Sequence, residues 1–209
     1  MQILPLADEL FLVGHDEYSG KPVVDGRRLD TGLAGAVLAE LVQAQRIAIE
    51  TGDLIRVLDD RPVGERGTDA ALAELLRHAA GQPLRPWLEH LRVQARIMVA
   101  PRLAEAGLVA HAPPRRPLRW TTRYPALDLL AAAAPRVRVR FMMDQPELRD
   151  APTTALGAFA GSAGLGHVFG IGTGQRARRR LERWAGQLPA DLGLICAAVA
   201  VTVAAIPVR

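Results

Sequence analysis

Arg92 and Arg96 stand four residues apart in a stretch of helical period, Trp87 to Ala106, and so share one helix face. Two guanidinium groups at that spacing repel each other unless an anion lies between them. They therefore offer a phosphate clamp or, more plainly, a solvated basic face. Arg27 and Arg28, in the loop entering the long Leu33 helix, add two charges of the same kind. The second chemically distinctive group is Leu118-Arg119-Trp120-Thr121-Thr122-Arg123-Tyr124, where aromatic rings sit among arginines, a mixture typical of membrane and protein interfaces.

Other constellations fall short of a chemistry. His15, Asp16 and Glu17 are adjacent and cannot all point at one ion from regular structure, so neither a metal nor another cofactor is expected. Gly170-Ile171-Gly172-Thr173-Gly174 lacks both the Walker lysine and the spacing of a dinucleotide loop. There is no Gly-x-Ser-x-Gly elbow, no HExxH and no paired cysteine, and the five histidines lack ligand spacing. The expectation is a binding protein rather than an enzyme.

The framework that must position these residues is organised around Leu29 to Leu58. Leu33, Val37, Leu38, Leu41 and Val42 form one apolar helical stripe, Ala34, Ala36 and Ala39 raise the helix propensity, and Asp30 and Thr31 stand where an N-cap belongs. After Arg46 the period changes to two. Ile47 and Ile49, a Thr51-Gly52-Asp53 turn, then Ile55 and Val57 predict a β-hairpin.

Before this unit, Leu6 to Val13 predicts a short helix packed on the Leu33 helix, and Gly14 to Arg28 a polar loop with room for a small hairpin around Val23-Val24. After it, Thr68-Asp69 cap a helix whose buried stripe is Leu72, Leu75 and Leu76, and Pro101 is expected to interrupt the Trp87 helix, kinking or restarting it. His111 to Tyr124 reads as a second hairpin with an exposed basic tip. Asp128 to Ala134 predicts a helix, while Arg136 to Phe141 fits a half-buried strand or a continuation of that helix. A basic helix carries Arg176 to Arg183. Leu192 to Val208 is uncharged but short for a span, and predicts a helix buried on all sides at the centre.

Bulk composition agrees with this outline. With 49% hydrophobic and 4% aromatic residues, the core must be aliphatic, which favours helices over a β-sandwich. The fold class expected is mainly α with short β-hairpins, and residues 1–209 read as one domain around the buried C-terminal apolar helix. Of 26 basic residues only Lys21 is lysine, and the net charge of +4 makes an anionic partner plausible. The single Cys196 lies in an apolar run and reads as a core residue in a reducing compartment. MQILPLADELFL has no basic region leading into an apolar stretch, so no signal peptide is expected.

The order of segments resembles the Golgi phosphoprotein 3 family of peripheral membrane proteins. The matching pieces are Leu6 to Leu12 (LADELFL), Gly32 to Leu41 (GLAGAVLAEL), Arg46-Ile47, Asp60 to Gly64 (DRPVG), Asp69 to Leu72 (DAAL), Trp87-Leu88-Glu89 and Arg102 to Leu108 (RLAEAGL). The resemblance implies a mostly helical domain that binds phosphatidylinositol 4-phosphate on a basic face and uses the later hairpin for membrane contact or self-association. Carried over by position, the family's loop tryptophan falls near Asp25, its helix arginine on Ala34, and its two later arginines on Val93 and Arg96. Only Arg96 keeps its type. Each lost charge-assisted hydrogen bond is worth roughly 1.5 to 3 kcal/mol, so Arg92, Arg27 and Arg28 would have to rebuild the pocket.

The combined reading is a cytoplasmic protein attached peripherally to a membrane surface. Arg96, Arg92, Arg27 and Arg28 meet anionic phospholipid or phosphoinositide headgroups, and the Leu118, Arg119, Trp120 and Tyr124 hairpin touches the membrane or pairs with another copy. Two alternatives are a non-catalytic oligomeric scaffold and a winged-helix-like nucleic-acid binder. The second is disfavoured because the Leu33 helix carries Ala, Glu40, Gln43 and Gln45 instead of a basic stripe.

Overall fold

The structure, a computed structural model, describes residues 3–78, 81, 83–112, 122–148, 150–170 and 174–207. Its axis is α2 (Gly26–Gln43), which buries Leu29 and every residue from Thr31 to Ala39. Small residues make this enclosure attainable. A Cβ on Gly32 would strike Ala163, and one on Gly35 would strike Val199, so neighbouring helices approach the α2 backbone closely. Around it pack α1 (Leu6–Gly14), α3 (Arg66–Arg77), α4 (Leu84–Arg92), α5 (Ala95–Glu105), α7 (Ala151–Ser162) and α9 (Ala190–Ala204). The helix starts earlier than Asp30 and Thr31 imply. Its N-cap is Asp25, whose carboxylate accepts from the Arg27 amide at 2.9 Å, because Asp30 is committed to Arg96 and the Thr31 hydroxyl donates to the Arg27 carbonyl.

The first hairpin forms as its period requires. β1 (Ile47–Glu50) and β2 (Leu54–Val57) pair antiparallel in the register Ile47 to Val57 and Ile49 to Ile55, and Gly52 and Asp53 supply the positive φ angles of the turn. Between α1 and α2 the chain folds back tightly, with the Asp16 amide donating to the Lys21 carbonyl at 2.8 Å and the Val23 amide to the Gly14 carbonyl at 2.9 Å.

Two elements depart from expectation, and a third, open in sequence between strand and helix, is helical. The Trp87 helix breaks at Val93-Gln94, between α4 and α5, and not at Pro101, which sits inside α5. Ile97 and Pro101 lie on the exposed face, so water can take the Ile97 carbonyl that the proline leaves without a donor. The Arg136 to Phe141 stretch is helical, in α6 (Leu129–Asp144). The Asp128 carboxylate caps it by accepting from the Leu130 and Ala131 amides at 3.0 Å, and the alanines that follow propagate it. Finally, α9 is buried along one side only: Ile195, Cys196 and Val199 face inward while Leu194, Ala197, Ala200 and Val201 are exposed. The enclosed helices are α1, buried at every residue, and α2 over Thr31 to Ala39. Leu76 of α3 is likewise exposed, in contrast to Leu72 and Leu75.

A 3-10 turn over Leu165–Phe169 connects α7 toward α8 (Gly174–Ala185). In the glycine-rich stretch between them, Ile171, Gly172 and Thr173 lie outside the described residues. Among the described residues no helix is long and apolar enough to cross a membrane.

Candidate anion-binding cleft

Where α2 begins, a cleft of about 370 Å³ is lined by Asp25, Gly26, Arg27, Asp30, Arg96, Ile206 and Pro207. Three sequence-distant segments make it: the first turns of α2, the first turn of α5, and the chain just after α9. Arg96 leaves α5 and donates from Nε to Asp30 Oδ1 at 2.5 Å. Its Nη2 lies against Gly26, so close that a Cβ at position 26 would stand 2.5 Å away. Glycine is therefore what lets the guanidinium reach the start of the helix.

The pair is electrostatically balanced. Burial pushes the Asp30 carboxyl above its ordinary range, and the charges of Arg96 and Arg92 with the Arg96 hydrogen bond oppose that rise. Asp30 thus orients Arg96, occupying one of the five N–H donors of the guanidinium. Counting the arginines at positions 27, 28, 92 and 96 against Asp25 and Asp30 leaves this corner with an excess of two positive charges, four minus two.

The four arginines have distinct placements. Arg27 is exposed at the lip of the cleft and Arg96 forms its wall. Arg92, the last residue of α4, lowers Asp30 through its charge, and its Nε is buried without a hydrogen-bond partner among the described residues. Arg92 and Arg96 belong to two helices and do not form a pair on one helix face: Arg96 bonds Asp30, and Arg92 acts on that carboxylate through its charge. Arg28 turns the other way, donating from Nη2 to the Ile206 carbonyl at 3.2 Å and so tying the chain after α9 to the cleft.

His15 is buried and feels the charge of Arg96. Its Nδ1 donates to the Phe11 carbonyl at 2.8 Å, which fixes the tautomer because a carbonyl only accepts. Burial lowers the imidazole to about 4, so it is neutral near pH 7. The ring stacks on Phe11 at 4.1 Å and meets Tyr124 edge-on at 5.6 Å.

Tyr124 is consequently a core residue, 7% exposed, and not part of an exposed tip: the alternation that places it on a hairpin face cannot show that Phe11 and His15 cover it. The flanks of that hairpin do pair antiparallel, Val109 with Ala126 and Ala112 with Arg123. Leu118, Arg119 and Trp120 lie outside the described residues. Asp30, Gly26 and Ile206 are not legible in the sequence as site residues. Asp30 reads locally as a cap, and nothing in the chain pairs it with a residue 66 positions away.

The sequence model of the Golgi phosphoprotein 3 (GPP34) family matches residues 6–206, nearly the whole chain. The chain belongs to that family. A comparison with curated proteins found no match.

The family-derived positions sort clearly on this fold. Ala34 is buried at 1% exposure inside α2 and cannot touch a ligand, whereas Val93 is exposed at the α4 to α5 break. The same enclosure removes α2 as a nucleic-acid recognition helix, since no face of its middle turns is open to a groove.

Proposed function

We propose that this is a non-catalytic peripheral membrane protein whose cleft at the start of α2 receives the anionic headgroup of a phospholipid. The observation that carries the reading is Arg96 held by Asp30 against Gly26, with the exposed Arg27 at the lip. The first turn of α2 adds the partial positive charge of a helix N-terminus, and Arg96 retains N–H donors beyond the one given to Asp30. Family membership supports phosphatidylinositol 4-phosphate as the finer reading. The aspartate at position 25, the buried Ala34 and the uncharged Val93 support recognition of negative charge in general over a stereospecific inositol pocket.

The test is flotation with neutral, phosphatidylglycerol, cardiolipin and phosphatidylinositol 4-phosphate vesicles. Binding to anionic vesicles is expected at low salt, weakening as salt screens the arginines. Arg27→Ala should reduce affinity about fivefold, the effect of one arginine near an anionic surface. Gly26→Ala should weaken binding by displacing the Arg96 guanidinium without disturbing the helix. A marked preference for phosphatidylinositol 4-phosphate would establish the finer reading. Equal binding to neutral and anionic vesicles would refute the proposal.

A further inference from the structure

The cleft is bordered by a surface feature that headgroup binding alone does not explain. Each of the two inner arginines is followed directly by an exposed aliphatic residue, Arg92 by Val93 and Arg96 by Ile97. Val93 is 77% exposed and Ile97 72%. Gln94 and Pro101 are exposed as well, and Pro101 lies one turn after Ile97 on the same face of α5. The outer surface of the α4 to α5 bend is thus an uncharged ridge of Val93, Gln94, Ile97 and Pro101. From Arg92 to Ala104 the chain contains no acidic residue.

We propose that this bend is a membrane wedge: Val93 and Ile97 enter the interfacial layer of an anionic bilayer while Arg92 and Arg96, immediately behind them, face its phosphates. The source of the lipid charge rests on the headgroup reading above, but the wedge itself rests on exposure and position. Two arguments favour a bilayer over a protein partner. The ridge is continuous with a corner carrying excess positive charge, which complements an anionic leaflet. It is also far too small for a stable protein interface, since four side chains cannot supply the roughly 800 Å² per partner that such interfaces bury. A shallow apolar insertion beside a few arginines is the two-signal arrangement that reversible membrane attachment needs. The break at Val93-Gln94 serves this geometry, because a straight helix would leave Val93 level with its neighbours instead of at a corner.

The experiment combines two variants with two lipid compositions. Val93→Ser/Ile97→Ser removes apolar surface that touches little of the protein, so an unchanged thermal midpoint should accompany it. Its affinity for phosphatidylglycerol vesicles should fall about tenfold or more, as expected for losing partial burial of two aliphatic side chains, with the salt dependence retained. Val93→Cys permits labelling with a polarity-sensitive dye, because the natural Cys196 is buried and its thiol is pushed up to about 12. The dye should shift to the blue on vesicle addition. Unchanged affinity of the serine variant, or an unshifted dye on bound protein, would overturn the wedge while leaving the headgroup reading intact. Loss of binding in the serine variant with no effect of Arg27→Ala or of lipid charge would keep the wedge and remove the headgroup reading. Absence of vesicle binding by the natural chain would overturn both. A lipid-free dimer abolished by the serine variant would assign the ridge to a second copy and overturn the proposal.

Discussion

The charge cluster near the other end of α2 yields the sharpest prediction. Arg102 of α5 is surrounded by Asp8 of α1, Glu40 of α2 and Glu65, the N-cap of α3. Its Nε donates to Asp8, its Nη1 meets Glu65, and its Nη2 lies 3.2 Å from Glu40, which also accepts from the Ala7 amide at 2.8 Å and the Thr68 hydroxyl at 2.7 Å. Three carboxylates share one guanidinium. Burial raises Asp8 from 3.8 to about 7, Glu40 and Glu65 add to the rise, and Arg102 opposes it. Because the folded value exceeds the unfolded one, the native state binds more protons between about pH 4 and 7. Stability is then full below this window, falls as pH rises through it, and levels off above it. Roughly three pH units at about 1.4 kcal/mol each make the loss about 4 kcal/mol. Glu9 and Asp30, both raised by burial, slope the same way, so the informative quantity is a difference. Asp8→Asn keeps the shape and an acceptor for Arg102 but cannot ionise. Urea denaturation from pH 4.5 to 8 should show the two proteins equally stable at the acid end and the variant more stable by up to about 4 kcal/mol at the alkaline end. Parallel curves, or a natural chain that gains on the variant as pH rises, would refute the assignment.

Two further substitutions test helix packing and capping away from the cleft. Gly157→Ala in α7 would place a Cβ 2.4 Å from the Trp184 ring, and the overpacking should cost about 1 to 3 kcal/mol in chemical denaturation; a neutral result would mean that α8 can move away from α7 freely. Asp128→Ala removes the cap of α6 and should cost about 1 kcal/mol, seen as a lower thermal midpoint, with vesicle binding unaffected because α6 does not line the cleft.

Much of this protein follows from local pattern. The α2 stripe, the β1 to β2 register, the packing of α1 on α2 and the burial of Cys196 are all legible, because apolar periodicity reports which face of an element leaves water and turn residues report where the chain reverses. The ordered pieces from Leu6 to Leu108 are sufficient to recognise the family, whose match extends to residue 206.

What the tertiary structure alone decided is where the charges go. Asp30 meets Arg96 across 66 positions, Arg102 meets Asp8 across 94, and Arg138 meets Glu9 across 129. The alternating arginines of Arg136 to Arg140 fit the solvent face of a strand, yet on a helix two of them reach acids near α1: Arg138 bonds Glu9, and Arg136 pairs with Glu17 at 2.9 Å. Tyr124 alternates as a hairpin residue and lies in the core; Val93 sits in a stretch with the period of one helix and stands at a corner between two. Periodicity measures the burial of one segment against an unspecified neighbour. It carries no information about which buried carboxylate will find which guanidinium, because that choice depends on how helices distant in sequence are brought together.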